Sequence, residues 1–175
     1  MFSLYNLIKG GGSSFLFIIP TIKVLFTSNL MFWKLSNIFL VISSVLCNAY
    51  KYNYGLLVFD YFMITMVSVS YINNININML IGILFYLECI IKNDITMTKN
   101  IAFISSVSLI AINTYKYYPV LFTQYIASLI IGVISRYIRN LPAYINNNTI
   151  GLLLTSIWHI CITNILFTAS YTAID

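Results

Sequence analysis

The segment Thr149–Ala169 reads TIGLLLTSIWHICITNILFTA and contains no Asp, Glu, Lys or Arg. A helix needs about 20 predominantly apolar residues to cross the hydrocarbon core of a bilayer, so this segment is long enough to do so. Its run Gly151-Leu152-Leu153-Leu154 is continuously apolar, whereas the strand of a transmembrane β-barrel alternates apolar and polar residues. The segment therefore predicts a membrane-spanning α-helix.

Six further apolar segments precede it, separated by short stretches rich in Asn, Pro and charged residues. They are Ser13–Met31, Leu35–Tyr50, Gly55–Ile72, Ile77–Ile91, Asn100–Tyr115 and Val120–Ile138. We expect an all-α fold, a polytopic transmembrane bundle of seven helices that forms a single domain over residues 1–175. Pro20 and Lys23 interrupt the first segment, so a bundle of six helices with an interfacial first segment is the alternative.

The composition supports a lipid-facing exterior. The chain is 60% hydrophobic and only 7% charged, whereas a soluble domain carries about 25% charged residues. Its net charge of +5 comes from scattered Lys and Arg residues, and no basic cluster exists that could bind a nucleic-acid backbone. We therefore expect membrane lipids as partners and no nucleic acid.

The orientation follows from the basic residues between the segments. With seven helices, Lys9, Lys51, Lys92, Lys99, Arg136 and Arg139 fall on one side of the membrane, and Lys34 and Lys116 on the other. Basic residues concentrate on the cytosolic side of membrane proteins. We expect an integral membrane protein with a cytosolic N-terminus and an extracytosolic C-terminus; the sequence does not indicate which membrane.

Ionisable residues inside membrane helices are costly and mark candidate functional sites. Three occur here: Asp60 early in the third segment, Glu88 late in the fourth, and His159 inside the seventh. Each also has a structural interpretation. His159 can hydrogen-bond a polar residue across the bundle, the helix dipole favours Asp60 near a helix start, and Glu88 can pair with Lys92 one turn later.

Polar residues that accompany Asp60 and His159 occur in a definite order along the second, third and seventh segments. The second segment contains Ser44 and, four residues on, Asn48; the third contains Asp60-Tyr61; the seventh contains Thr155 and, four residues on, Trp158-His159. This order resembles the superfamily of alkaline ceramidases, progestin/adiponectin-type receptors and hemolysin III proteins. In that superfamily of seven-helix proteins, Ser-x-x-x-His on the second helix, Asp on the third and His-x-x-x-His on the seventh form the site.

The resemblance implies a function for three residues. Ser44 matches the serine of the superfamily, Asp60 its aspartate, and His159 the second histidine of the seventh-helix motif. In the ceramidases three histidines hold a zinc ion, which activates water for hydrolysis of a lipid amide. If this chain were an active enzyme of that type, Ser44 and Asp60 would be the catalytic candidates and His159 a metal ligand.

Two positions depart from the pattern, because Asn48 and Thr155 stand where the other two histidines should be. Catalytic zinc needs about three protein ligands, and neutral amide and hydroxyl oxygens are poor ligands for it. We therefore expect no cofactor and a non-catalytic, lipid-binding or receptor-like member of the superfamily. Two alternatives stay open: an active zinc-dependent lipid amide hydrolase with a remodelled site, and an unrelated structural or transport protein of the membrane.

The depth of these residues predicts that they meet. His159 lies about ten residues into the seventh segment, or about 15 Å at the helical rise, which is too deep for an interfacial residue. Ser44 and Asp60 flank the short connection between the second and third segments, on the side of the membrane where the seventh begins. We expect Ser44, Asp60 and His159 to face one another in the cytosolic half of the bundle.

Overall fold

A computed structural model describes residues 12–28, 31–50, 53–71, 74–92, 96–142 and 148–172. A short 3₁₀ segment, Gly12–Phe17, leads into seven α-helices. The helices are α1 (Ile18–Thr27), α2 (Met31–Ala49), α3 (Tyr54–Ser70), α4 (Ile75–Lys92), α5 (Met97–Tyr117), α6 (Pro119–Arg139) and α7 (Asn148–Thr172). Within these ranges there is no β-strand, so the predicted all-α class and the count of seven helices are confirmed.

The first predicted segment differs most from the structure. It is not one helix over Ser13–Met31, because α1 ends at Thr27 and Met31 already begins α2. Pro20 does not break α1. It lies in the first turn, where the backbone N–H groups have no intrahelical acceptor and a missing N–H costs little.

Helix α5 is longer at both ends than the sequence predicted. Lys99 and Lys116 were assigned to connections, but they lie in its first and last turns. At the N-terminal end the physical reason is a buried stripe of small and apolar side chains at every fourth position, which begins before the predicted start at Asn100. The stripe consists of Thr98, Ala102, Ser106, Ile110 and Thr114.

The bundle is polar inside and apolar outside. On α2, the buried face carries Ser36, Asn37, Ser43 and Ser44 beside apolar residues, whereas Phe32, Phe39 and Ile42 on the same helix are exposed. Across the described residues, polar side chains slightly outnumber apolar ones in the buried set. A soluble protein has the reverse distribution, so the exterior of this bundle fits lipid.

Among the described residues, three helices are long and apolar enough to cross a membrane: α2, α6 and the Thr149–Thr172 part of α7. Gly12–Thr27, Tyr54–Ser70 and Asn76–Ile91 are shorter apolar helical stretches. Together with the apolar exterior, these lengths indicate an integral membrane protein.

Helix α7 is central to the packing. It lies against α1, α5, α6 and the 3₁₀ segment, which also packs on α2. Helix α3 lies against α2, α4 and α5, and α4 has its main contacts with α3 and α5. The 3₁₀ segment is therefore placed between α2 and α7, the two helices that carry Ser44 and His159.

Helices α6 and α7 run antiparallel at close range. The Asn164 side-chain amide of α7 donates to Ser128 Oγ of α6 at 2.7 Å. One turn further along α6, a Cβ atom added at Gly132 would lie 3.0 Å from Cys161 Cβ and 3.4 Å from the Trp158 ring. The absence of a side chain at Gly132 therefore permits this helix pair to approach.

Glu88 caps the following helix. Its two carboxylate oxygens accept hydrogen bonds from the backbone N–H groups of Met97 and Thr98, both at 2.7 Å. Two N–H groups that the start of α5 cannot satisfy internally are thus paired with a negative charge. The predicted pairing with Lys92 involves a side chain outside the described set.

We expect Glu88→Ala to destabilise the protein by about 1–2 kcal/mol, because both N–H groups lose a charged acceptor. The free energy is read from unfolding of the full-length protein in detergent. Cys89→Ala, at the next position of α4, is the control and should change little. Equal stability of the two variants would contradict the capping role.

Candidate functional site

The predicted site residues lie on three helices and are all buried. Ser44 is near the end of α2, Asp60 is in the second turn of α3, and His159 is near the middle of α7. Their exposed fractions are 4%, 8% and 6%, respectively. Groups this polar need hydrogen-bond partners when they leave water, so their partners define the site.

His159 is bonded by the 3₁₀ segment. Ser13 Oγ lies 2.8 Å from His159 Nδ1, and the Phe17 ring packs on the imidazole with 5.2 Å between ring centroids. The segment thus supplies His159 with both a polar and an aromatic contact. This partner was not predicted, because nothing in the sequence distinguishes Ser13 from the other serines.

The neighbouring Ser14, which is fully buried, joins the 3₁₀ segment to α2. Its Oγ accepts hydrogen bonds from Ser44 Oγ at 3.2 Å and from the Asn48 side-chain amide at 3.1 Å. Asn48 also donates to the Ser44 carbonyl at 2.8 Å. Consecutive serines therefore link the predicted serine on α2 with the predicted histidine on α7.

Asp60 is bonded by Ser43 rather than by the predicted Ser44. The Ser43 hydroxyl lies 3.1 Å from Asp60 Oδ1 and 3.1 Å from the Leu40 carbonyl, so one proton is shared between two acceptors. Ser43 and Ser44 are adjacent and both lie on the buried face of α2. One faces α3 and the other faces the 3₁₀ segment, because successive residues point about 100° apart around a helix.

Asn48 and Thr155, which stand where the superfamily pattern has histidines, form hydrogen bonds within the bundle. Thr155 Oγ1 donates to the Gly151 carbonyl of its own helix at 2.7 Å, and Asn48 bonds Ser14 and Ser44 as described. In the ranges that the structure covers, no three His, Cys, Asp or Glu side chains are grouped so that they could hold a metal ion. The side chains of Asn48, Asp60, Thr155 and His159 therefore do not fit a catalytic zinc ion, which needs about three His, Cys, Asp or Glu ligands.

Basic side chains approach the site from two further helices. Arg136 of α6 lies within electrostatic range of both Asp60 and His159. Lys99 of α5 lies within range of Asp60, and Arg139 of α6 within range of His159. From the sequence these basic residues indicate only the orientation of the chain, and nothing in their positions predicts that they lie near Asp60 and His159.

The fold and its apolar exterior define the class of protein: a helical-bundle integral membrane protein with a polar cluster inside the bundle. We use the term polar cluster for Ser13, Ser14, Ser43, Ser44, Asn48, Asp60 and His159. No protein-family model matches the chain, and no curated protein or solved structure is significantly similar to it.

Proposed function

We propose that this protein is a non-catalytic, lipid-binding member of the superfamily of alkaline ceramidases, progestin/adiponectin-type receptors and hemolysin III proteins. The observation that carries the proposal is the link from Ser44 through Ser14 and Ser13 to His159. It joins the second and seventh helices at the residues that match the superfamily pattern. The Ser43–Asp60 bond adds the third helix.

The chemistry of the polar cluster favours binding over hydrolysis. Four of its seven members bear hydroxyls and one bears an amide, and only Asp60 and His159 in the cluster are of the kinds that ligate catalytic zinc. Hydroxyls and amides inside a low-dielectric bundle are suited to a lipid that carries the same groups next to its acyl chain. An amide-linked lipid of the ceramide type is the ligand class that we propose.

Hydrolysis is tested with the purified full-length protein and a fluorescent short-chain ceramide. We expect no release of fatty acid above the protein-free control and much less than one zinc ion per chain by elemental analysis. Zinc at about one per chain, lost together with hydrolysis in His159→Ala, would refute the proposal and support the hydrolase alternative.

Binding is tested separately by photolabelling with a photoactivatable ceramide. We expect Asn48→Leu to reduce labelling, because it replaces an amide of the polar cluster by an apolar group of similar size. Asn113→Leu is the matched control, since Asn113 bonds the Tyr71 hydroxyl at the other end of the bundle. Equal labelling of both variants would contradict lipid binding at the cluster.

We also propose the orientation with the N-terminus in the cytosol. Lys99 and Arg136 gather around Asp60 at one end of the bundle, whereas Lys23 packs beside Tyr171 at the other. This distribution supports the positive-inside assignment.

Cysteine labelling tests this orientation in a variant whose three native cysteines are replaced by alanine. An impermeant maleimide applied from the outside should label Asn74→Cys and miss Asn146→Cys until the membrane is permeabilised. Labelling in the reverse order would overturn the orientation.

A further inference from the structure

We propose that Gly12–Thr27, which we call the gate segment, is a lateral gate over the polar cluster, and that a lipid ligand enters by displacing it. The gate segment comprises the 3₁₀ segment and α1. This inference rests on the proposed lipid binding, which it extends to the entry route and to the groups that compete with the ligand.

The argument begins with the position of the gate segment in the bundle. It packs against α2 on one side and against α7 on the other. In the described part of the chain, α2 and α7 do not pack extensively against each other. The gate segment therefore fills a gap between these two helices, and its displacement opens the polar cluster to the membrane from the side.

The other helices are connected without the gate segment. Helix α2 packs on α3, α3 on α5, α5 on α6, and α6 on α7. These pairs form an unbroken series of contacts from one side of the gap to the other. The gate segment can therefore leave its position while the remaining helices stay together.

The two faces of the gate segment suit movement into lipid. Its exposed side chains are large and apolar: Phe15, Ile18, Ile19, Ile22 and Phe26. Its buried face includes Ser14, Phe17, Thr21 and Val24. The segment is also shorter than the roughly 20 residues that cross a bilayer. Because its outer face already suits contact with lipid, it can move outwards without bringing new polar groups into the hydrocarbon on that side.

Two serines of the gate segment occupy the groups that a ligand would use. Ser13 Oγ lies 2.8 Å from His159 Nδ1, and Ser14 Oγ accepts hydrogen bonds from Ser44 and Asn48. A hydroxyl or amide of a ceramide-type lipid can replace each serine hydroxyl, so the exchange keeps the number of hydrogen bonds nearly constant. Ser13 and Ser14 thus act as internal competitors of the ligand.

The rest of the interface is held less firmly. Thr21 Oγ1 bonds a carbonyl within the gate segment at 2.7 Å and lies 3.5 Å from the Asn37 carbonyl of α2. Among the described residues, Asn37 Oδ1 and Lys23 Nζ are buried without a hydrogen-bond partner, although Lys23 contacts two aromatic rings of α7. A buried polar atom without a hydrogen bond destabilises the state in which it is buried. The closed position therefore depends largely on the two serines.

The first test is photolabelling of the full-length protein with the photoactivatable ceramide, below saturation. S13A/S14A removes both competing hydroxyls, so it should label more strongly by about fivefold or more. Thr21→Ala is the matched control, because Thr21 is buried in the same segment but its short bond stays within that segment. It should label like the wild type. Unchanged or reduced labelling of S13A/S14A would overturn the competition.

A disulfide lock covers the case in which S13A/S14A fails to fold. Ser14 Oγ and Ser44 Oγ are 3.2 Å apart, so cysteines at these positions are close enough to be joined. S14C/S44C is made in the variant whose three native cysteines are replaced by alanine. The oxidised protein should label only at background, and dithiothreitol should restore labelling in the same preparation. Equal labelling of the oxidised and reduced forms would contradict entry through the gate.

Alkylation by N-ethylmaleimide tests the gate without ceramide. Ser44→Cys and Ser135→Cys are compared in the same cysteine-free background. Both positions are 4% exposed, but α6, which carries Ser135, is not among the helices that pack extensively on the gate segment in the described part. We expect Ser44→Cys to react about tenfold faster or more, because local opening exposes it. Equal rates would overturn the gate. Faster reaction of Ser44→Cys in a protein that ceramide does not label would refute the proposed ligand and leave the opening of the gate supported.

Discussion

Replacing Gly132 by leucine is expected to cost about 3 kcal/mol or more of stability and to prevent normal packing of α6 against α7. Even a bare Cβ at this position would lie 3.0 Å from Cys161 Cβ and 3.4 Å from the Trp158 ring. The three further carbons of leucine have no space, so the two helices must separate. The separation would also disturb His159, which follows Trp158 on α7.

Gly82 provides the control, because a Cβ added there on α4 meets nothing within 4 Å. We expect Gly82→Leu to leave the folded fraction unchanged, and Gly132→Ala to have a smaller effect than Gly132→Leu. The measurement is the fraction of full-length protein that stays monodisperse on size exclusion after heating in detergent. Similar behaviour of the two leucine variants would contradict the close approach of α6 and α7.

The second large effect is expected at the Ser43–Asp60 bond. Ser43→Ala should cost about 1.5–3 kcal/mol, because it leaves a buried carboxyl group without its hydroxyl donor. The S43A/D60L double variant should recover part of this loss, since the stranded group is then gone. Ser70→Ala is the matched control: Ser70 is buried, but its hydroxyl bonds only the Val67 carbonyl of its own helix.

A double-mutant cycle distinguishes this bond from a direct interaction between His159 and Asp60. The bond of His159 goes to Ser13, so the effects of His159→Phe and Asp60→Leu should add to within about 0.5 kcal/mol. The coupling of Ser43 with Asp60 should be clearly larger. A larger coupling for the His159–Asp60 pair would contradict the bonding pattern of the polar cluster.

The sequence predicted the ends of a helix well where an apolar run is bounded by polar residues on both sides. Continuous apolar runs separated by polar stretches located α3, α4, α6 and α7 to within a few residues of their observed ends. The first segment was predicted to end at Met31, four residues beyond the end of α1 at Thr27, although the polar stretch Thr27-Ser28-Asn29 lies between the two helices. Pro20 was weighted as a helix breaker, although its position in the first turn makes it compatible with helix.

The site was predicted less completely, for a geometric reason. The rule that polar groups avoid lipid correctly indicated that Asp60, His159 and Ser44 are buried. The same rule could not show whether Ser43 or Ser44 bonds Asp60, because both serines lie on the buried face of α2. The rotation of α2 about its axis, relative to α3, determines which of the two hydroxyls points towards Asp60. Ser13 and Ser14 were missed, because only the tertiary fold brings the 3₁₀ segment between α2 and α7.

The contacts that the 3₁₀ segment and α1 make with α7 have a consequence for biosynthesis. Ser13 bonds His159 across 146 positions of sequence, and Lys23 of α1 packs its ammonium on the rings of Phe167 and Tyr171 in α7. A ribosome delivers α1 well before α7, so Lys23 cannot reach the rings of Phe167 and Tyr171 until α7 has been made. Closure of the bundle is therefore a late, long-range step, and such steps are slow compared with the pairing of neighbouring helices.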